Sequence, residues 1–233
     1  MILTVYKVSV YMTCCNASPF IEECIESVLN QSFENFELVI VDDGSTDDTV
    51  EKIKKFSDKR IKFFQNNHNY IESLNLAVEK SQGKYLAKMD ADDVMMKDRL
   101  LIQYNYMEHH SEIDLLAGGM EFFGNRSGLY VPEIKESTVS IKDLLENNII
   151  AHPTIMIRKE SLQNLPCLYE SEYIYAECYK LCFTMLEYNL KLDNIPDILV
   201  RHRINNNQIS ITKKNQQKEI TNKIKLIYSK KLF

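Results

Sequence analysis

The chain has no tryptophan and only six glycines among its 233 residues. So little glycine excludes collagen-like and glycine-rich linker sequences. Neither a GxxxxGK[ST] phosphate loop nor a GxGxxG fingerprint is present, which argues against the common P-loop and dinucleotide-binding readings. No apolar run is long enough to read as a membrane span. Lys7 interrupts the opening apolar stretch and no small-residue cleavage site follows, so no signal peptide is expected. The six cysteines, at 14, 15, 24, 167, 178 and 182, contain no CxxC pair, which counts against a zinc site. They read as reduced thiols of a cytoplasmic protein.

What is present is ordinary for a folded domain: 45% hydrophobic and 26% charged residues, enough for one sizeable core. The net charge of −5 is unevenly spread. Residues 213–231 hold seven lysines and one glutamate, which leaves −11 on the rest. An acidic body does not suggest a nucleic-acid binder. The basic tail reads as a solvated helix. A peripheral contact with an anionic surface, such as the inner face of a membrane, is the other role open to it, each lysine contributing about 1 kcal/mol.

Two periods alternate through the first half. Val8–Thr13 and Phe36–Val41 are apolar runs of strand length, and Ile61–Gln65 and Lys84–Met89 read as two further strands. Between them, Phe20, Ile21, Cys24, Ile25, Val28 and Leu29 share one helical face, opened by Ser18 and Pro19. Helices are also expected after Thr49, over Ser73–Ser81 with Gly83 as its stop, and over Asp98–His109. The series is βαβαβαβα, which predicts an α/β fold: a mostly parallel sheet with helices on both faces.

The second half is less regular. Leu115–Phe123, Thr154–Arg158, Leu190–Asp193 and Ile198–Arg203 read as strands. Ile141–Asn147, Tyr173–Tyr188 and residues 212–231 read as helices, with Asn205-Asn206-Asn207 as the hinge into the tail.

Polar clusters stand at the carboxyl ends of two of the predicted strands, where ligands bind in open α/β sheets. Asp90, Asp92 and Asp93 crowd within four positions. Their mutual repulsion calls for a countercharge. Mg2+ or Mn2+ would supply one, bound by one or two carboxylates together with water and substrate phosphate oxygens. Helix capping by Asp93 or Asp98 accounts for one aspartate, not three. The stretch Asp42-Asp43-Gly44-Ser45-Thr46-Asp47 can accept hydrogen bonds from a base NH or a ribose hydroxyl. It serves equally as a turn with Thr46 or Asp47 capping the next helix, and both readings stand.

Three segments carry a resemblance. They are Val8-Ser9-Val10-Tyr11-Met12-Thr13-Cys14-Cys15-Asn16, SVLNQSFENFELVIVDDGSTDDT at 27–49, and GKYLAKMDADD at 83–93. In order and spacing they resemble a family 2 glycosyltransferase. The similarity runs over about residues 6–210, through Ser73-Leu74-Asn75, Asp98-Arg99-Leu100 and His152-Pro153-Thr154 to Tyr175–Ser210. It implies a single GT-A-type domain over 1–210, with a nucleotide-sugar half (1–115), an acceptor half (116–210) and a basic helical tail (211–233). It implies metal-dependent inverting transfer from a nucleotide sugar, a UDP-sugar above all, to a glycan or lipid-linked glycan. Asp43 would pair with the uracil ring and Asp42 would support its loop. Thr13 and Asn16 would complete the nucleotide pocket. Asp90 and Asp92 would form the DxD pair, Asp92 on the metal and Asp90 on ribose or a metal-bound water. Asp93 would orient the site against Arg99, and His152 would touch diphosphate or acceptor unless it is purely structural. With no QxxRW-type motif, transfer of a single sugar is expected.

Departures from the family pattern bear on the chemistry. Cys15 stands where a tyrosine often stacks on the base. Tyr175-Ala176-Glu177-Cys178 stands where relatives place Ala-Glu-Asp, whose aspartate is the catalytic base, and Cys182 replaces a frequent tryptophan. Glu177 keeps a carboxylate nearby, although neighbouring helix positions point about 100° apart. A Cys178 thiolate could serve only with a lowered pKa. Otherwise both cysteines are small core residues, and the chain is a nucleotide-sugar-binding pseudoenzyme or partner subunit. Arg203-Ile204-Asn205 replaces an Arg-x-His, so Arg203 or His202 could supply the missing contact. Asn69 replaces a glycine and would tolerate positive φ. Clustered aspartates also permit a metal-dependent phosphatase or nucleotidyltransferase.

Overall fold

The computed structural model describes residues 6–134, 137–206 and 208–231. Four parallel strands form the first half of the sheet. They are β1 (Val8–Cys14), β2 (Phe36–Asp42), β3 (Ile61–Gln65) and β4 (Tyr85–Asp90), in spatial order β3-β2-β1-β4. Every residue of β1 and β2 is buried, as befits strands covered on both faces. Side-chain alternation divides the core in two. Val8, Val10 and Met12 pack with α1 (Ile21–Leu29), whereas Tyr11 packs with α3 (Tyr70–Lys80). α2 (Thr49–Lys54) lies beside α1. The strand order reverses at β1, and the register sets Thr13 opposite both Val41 and Asp90. The carboxyl ends carrying residues 13–16, 42–47 and 90–93 therefore meet at one crevice.

The sheet continues with β5 (Val94–Met95), β6 (Leu115–Gly124), β7 (Gly128–Tyr130), β8 (Met156–Arg158) and β9 (Leu192–Ile204). β8 joins β4 antiparallel, and β6 runs parallel to β9, giving the order β4-β8-β6-β9-β5 with β7 on β6. The α/β architecture and helices on both faces are as expected. Several local expectations are corrected. The two short strands predicted around 190–203 are one strand, β9. Its register slips between Ala117 and Gly119, opposite the stretch holding Pro196, where a residue without an N–H is tolerated. Pro153 turns His152–Thr154 into a 3₁₀ turn, so the strand there begins at Met156. α1 begins at Ile21, after a turn holding Pro19. α3 begins at Tyr70, because Asn69 is its N-cap, accepting from the Glu72 N–H at 3.3 Å with φ of −136°. The positive φ belongs to His68.

Gly83 does not stop α3, which ends at Lys80. It sits where a Cβ would lie 2.5 Å from the Ser9 amide nitrogen, so only glycine allows that close approach.

α4 (Arg99–His109), α5 (Ile141–Glu146) and α6 (Glu177–Glu187) complete the body. After a short α7 (Ile209–Thr212), the basic tail forms α8 (Lys214–Ser229). It folds onto α5 and α6, with Ile224 and Tyr228 buried and Tyr228 stacked on Phe183 at 4.3 Å. Burial of Ile224 alone contributes about 1.5–3 kcal/mol. The third hinge residue, Asn207, lies outside the described residues. Among those residues no helix is long and apolar enough to cross a membrane.

Candidate active site

A cavity of about 810 Å3 opens over the crevice. Thr13, Asn16, Asp43, Asp90 and Asp92 line one side, His152, Glu177 and Cys178 a second, and Gln208, Lys214 and Lys218 a third. The structure thus gathers these eight residues singled out in the sequence, and with them Cys15, His202 and Asn205. Asp42, Asp93, Arg99 and Arg203 do not line it.

The loops at the strand ends are built by their own polar side chains. Asp42 is fully buried and accepts from the amide and hydroxyl of Ser45. Asn16, at φ 51°, accepts from the Thr46 N–H at 2.8 Å, and its own N–H donates to Ser45 Oγ. Asp42 and Asn16 therefore hold the loops at the strand ends in shape. Among the described residues Asp43 is held through one oxygen. Oδ1 accepts from the Asn69 N–H and the Ser73 hydroxyl, each at 2.7 Å, and the side chain lines the cavity with Oδ2 uncommitted. Cys15 lies on the exposed rim, 4.0 Å from His68 Nδ1.

Asp90 is paired with Lys88, a lysine wholly buried in β4 whose ammonium also donates to the Met89 carbonyl at 2.9 Å. Burial works to raise the Asp90 carboxyl. The Lys88 charge and hydrogen bond, together with His152 and His202, outweigh it and pull the carboxyl down to about 2. Asp92 moves the other way, raised by burial and by the charge of Asp90. Its Oδ2 accepts from the Asn205 amide at 3.2 Å. Asn205 thus approaches the DxD pair where the resemblance places a histidine.

Two assignments are corrected here. Asp93 is not oriented by Arg99. Its oxygens accept from the Arg203 N–H and from His202 Nδ1, each at 2.8 Å. Burial opposes charge on the His202 imidazole, but the neighbouring carboxylates, Asp93 first, hold its pKa above the ordinary value. Arg99 is sealed in the core, where it donates to the carbonyls of Lys88 and Ile155 and to Gln103. It braces the strand beneath the site. Nor does Arg203 face a diphosphate. Its guanidinium lies between the rings of Phe20 and Phe123, at 4.8 and 4.4 Å, while donating to the Asp92 carbonyl and pairing with Glu23. The resemblance suggested an anion contact; only the fold reveals which way the side chain runs.

A hard divalent cation can be tested against the donors present. Asp90 Oδ2 and Asp92 Oδ1 have no hydrogen-bond partner among the described residues, and both side chains line the cavity. No group of three or more His, Cys, Asp and Glu converges there, again among the described residues. Two carboxylates with open space beyond them fit Mg2+ or Mn2+, which complete their shell with water and substrate phosphate oxygens.

A second wall of the cavity carries a further carboxylate. Glu177 begins α6 and is buried. Oε1 accepts from the Tyr70 hydroxyl at 3.1 Å, with His152 Nδ1 at 3.9 Å, while Oε2 has no hydrogen-bond partner. Burial pushes the Glu177 carboxyl up. His152 is neutral, its pKa pushed down by burial to about 3, and its Nε2 lies 3.2 Å from the Tyr169 hydroxyl. That hydroxyl meets the Tyr11 hydroxyl at 2.7 Å. Cys178 is not a thiolate. Its hydrogen bond with Cys182 and its burial both push the thiol well up, so it holds its proton at neutral pH. Cys182 is fully buried away from the cavity.

Sequence reasoning missed Lys88, Tyr70 and Tyr175. Lys88 left a signal, a charge inside an otherwise apolar strand. Tyr175, at φ 73° on the cavity wall, is strained backbone that no local pattern announces.

The profile of the family described as Glycosyl transferase family 2 matches residues 9–165. The chain belongs to this family. It is 32% identical over 232 residues to an uncharacterized glycosyltransferase of Haemophilus influenzae, covering 94% of this chain and 72% of the relative. It is 30% identical over 213 residues to the Escherichia coli UDP-Glc:alpha-D-GlcNAc-diphosphoundecaprenol beta-1,3-glucosyltransferase WfgD, covering 89% of this chain and 81% of that one. The crystal structure of S. aureus TarS 1–349 with UDP superposes with a TM-score of 0.71 at 26% identity, over 86% of this chain. The chain spans 61% of that TarS protein's length. A GT-A fold and membership of a glycosyltransferase family are thereby established.

Proposed function

We propose that this glycosyltransferase is metal-dependent and inverting, and moves one sugar from a UDP-sugar to a hydroxyl of a glycan or lipid-linked glycan, with Glu177 as the base. The observation that carries the proposal is the unpartnered Oε2 of Glu177, buried in the wall of the cavity that also holds Asp43, Asp90 and Asp92. A buried carboxylate oxygen without a partner is costly, and an incoming hydroxyl would satisfy it. The UDP bound to TarS and the UDP-Glc and diphosphoundecaprenol-linked acceptor in the name of WfgD support the donor and acceptor classes.

The residues then divide the work. Asp43 Oδ2 accepts from the uracil ring, and Thr13 closes the pocket beside it. Asp92, with Asp90, would hold a divalent cation, which when bound offsets the negative charge growing on the departing diphosphate. Glu177 Oε2 takes the proton of the acceptor hydroxyl as its oxygen attacks C1. The bond from C1 to the diphosphate oxygen breaks, UDP leaves with the electron pair, and the anomeric centre inverts. Neutral His152 and the hydroxyls of Tyr169 and Tyr11 form the polar wall behind the base. Lysines on the open side of α8 offer a peripheral contact with an anionic membrane that would carry a lipid-linked acceptor.

Calorimetric titration with UDP, with and without Mn2+, tests the donor half. Binding should need the metal and be lost in Asp92→Asn. Turnover of a UDP-sugar by wild type, reduced roughly 10²–10⁴-fold in Glu177→Gln, tests the base. Metal-dependent UDP binding without turnover would instead make the chain a nucleotide-sugar-binding pseudoenzyme. Absence of any nucleotide binding would refute the donor assignment.

A further inference from the structure

One turn of helix holds both halves of the site. At the start of α3, the Asn69 N–H and the Ser73 hydroxyl fix Asp43 Oδ1, each at 2.7 Å. Between them in sequence, Tyr70 lines the cavity and reaches across 107 positions to donate to Glu177 Oε1 at 3.1 Å. The nucleotide-side carboxylate and the acceptor-side carboxylate are thus anchored within five consecutive residues. We infer that Tyr70 is a positioning residue: its hydroxyl binds one oxygen of Glu177 so that the other, Oε2, is presented to the acceptor, in register with the donor pocket. The inference rests on the proposed role of Glu177.

The rest of the surroundings supports it. Oε2 has no partner among the described residues, so Tyr70 is the side chain that sets the rotation of the carboxylate, beside the Glu177 N–H. The Tyr70 hydroxyl is a dependable donor, since burial, and after it the nearby Glu177 charge, keep it protonated. His152 cannot take its place, being neutral with Nδ1 at 3.9 Å, beyond hydrogen-bond reach. The other groups that bear on Glu177 are Lys88 and Asp90 of β4, Cys178 of α6 and the Glu177 N–H. Neither charge hydrogen-bonds the carboxylate. Cys178 occupies the adjacent position as a protonated thiol, so the base of this chain is one residue earlier and needs an external orienter. Tyr70 supplies it.

The test is Tyr70→Phe, which removes one oxygen and keeps the ring, alongside Glu177→Gln. Loss of a hydrogen bond to a charged group predicts a fall in kcat of about tenfold or more. The KM for the UDP-sugar and the affinity for UDP should stay within about twofold, since Asp43 keeps its partners. The Tyr70 hydroxyl helps lower the Glu177 pKa, so its removal should move the acid limb of kcat/KM to higher pH. The same upward shift should appear in the Glu177 carboxyl followed by 13C NMR, assigned by its loss in Glu177→Gln, a readout that needs no turnover. Wild-type kcat and an unmoved limb and 13C titration in Tyr70→Phe, with Glu177→Gln inactive, would overturn the positioning role and leave the base assignment standing. Full activity in Glu177→Gln would overturn both. A lowered melting temperature with unchanged kcat and titration would mark Tyr70 as a packing residue and also refute the inference.

Discussion

Replacing Lys88 by Met should destabilise the protein chiefly through Asp90, and most where Asp90 is ionised. Met is close to Lys in length, so the strand keeps its packing while the ammonium disappears. In the wild type that ammonium is the first of the groups, with His152 and His202, that hold the Asp90 carboxyl at about 2 instead of its ordinary 3.8. A folded-state pKa lying below the unfolded one contributes stability that is fully present above about pH 4 and is lost as pH falls towards about 2. The shift corresponds to on the order of 2 kcal/mol at neutral pH. Without Lys88, burial dominates and raises the Asp90 carboxyl, so the variant forfeits at least this much. For a chain of 233 residues that is a fall in Tm of roughly 4–8 °C. Urea unfolding from about pH 7 down to about pH 3 would read the difference, which should narrow as Asp90 titrates. A variant as stable as wild type at neutral pH, or a gap that ignores pH, would refute the view that Lys88 exists to hold Asp90 ionised.

Cys178→Ala should leave kcat/KM within about threefold, because a protonated buried thiol does no acid–base work. A loss of a hundredfold or more, the usual effect of deleting a general base, would return the base to Cys178. Tyr228→Ala should cost about 3 kcal/mol in chemical unfolding. It empties the stack on Phe183 and removes the partner of Glu187 Oε2, and an unchanged midpoint would show that α8 does not stabilise the body.

What could be read from the chain alone follows physical range. β1, β2 and β4 and the polar clusters at their ends depend on local periodicity and on a rule about where ligands sit in α/β sheets, so they were legible. Asp43, Asp90 and Asp92 do share one cavity. The second half was less so, because a strand broken by Pro196 looks like two until its partner β6 is known. Arg99 and Arg203 were assigned to the site by position from the resemblance, and both have their guanidinium groups committed to backbone carbonyls, with Arg203 also held between rings. Tyr70 was invisible, because its contact spans 107 positions and nothing nearby in sequence calls for a hydroxyl there.

The alternation within β4 has a consequence for how this site can vary. Lys88 and Asp90 are two apart and so project from the same side of the strand, while Met89 between them belongs to the opposite core. A substitution at either position alters charge at a fixed place. A residue inserted between Lys88 and Met89 would exchange the two sides, driving a carboxylate into the apolar layer beneath α1 and a thioether into the crevice, and deletion of Met89 would turn the carboxylate the same way. The crevice can therefore be retuned by replacement, residue by residue, but in this strand it has no tolerance for a change in count.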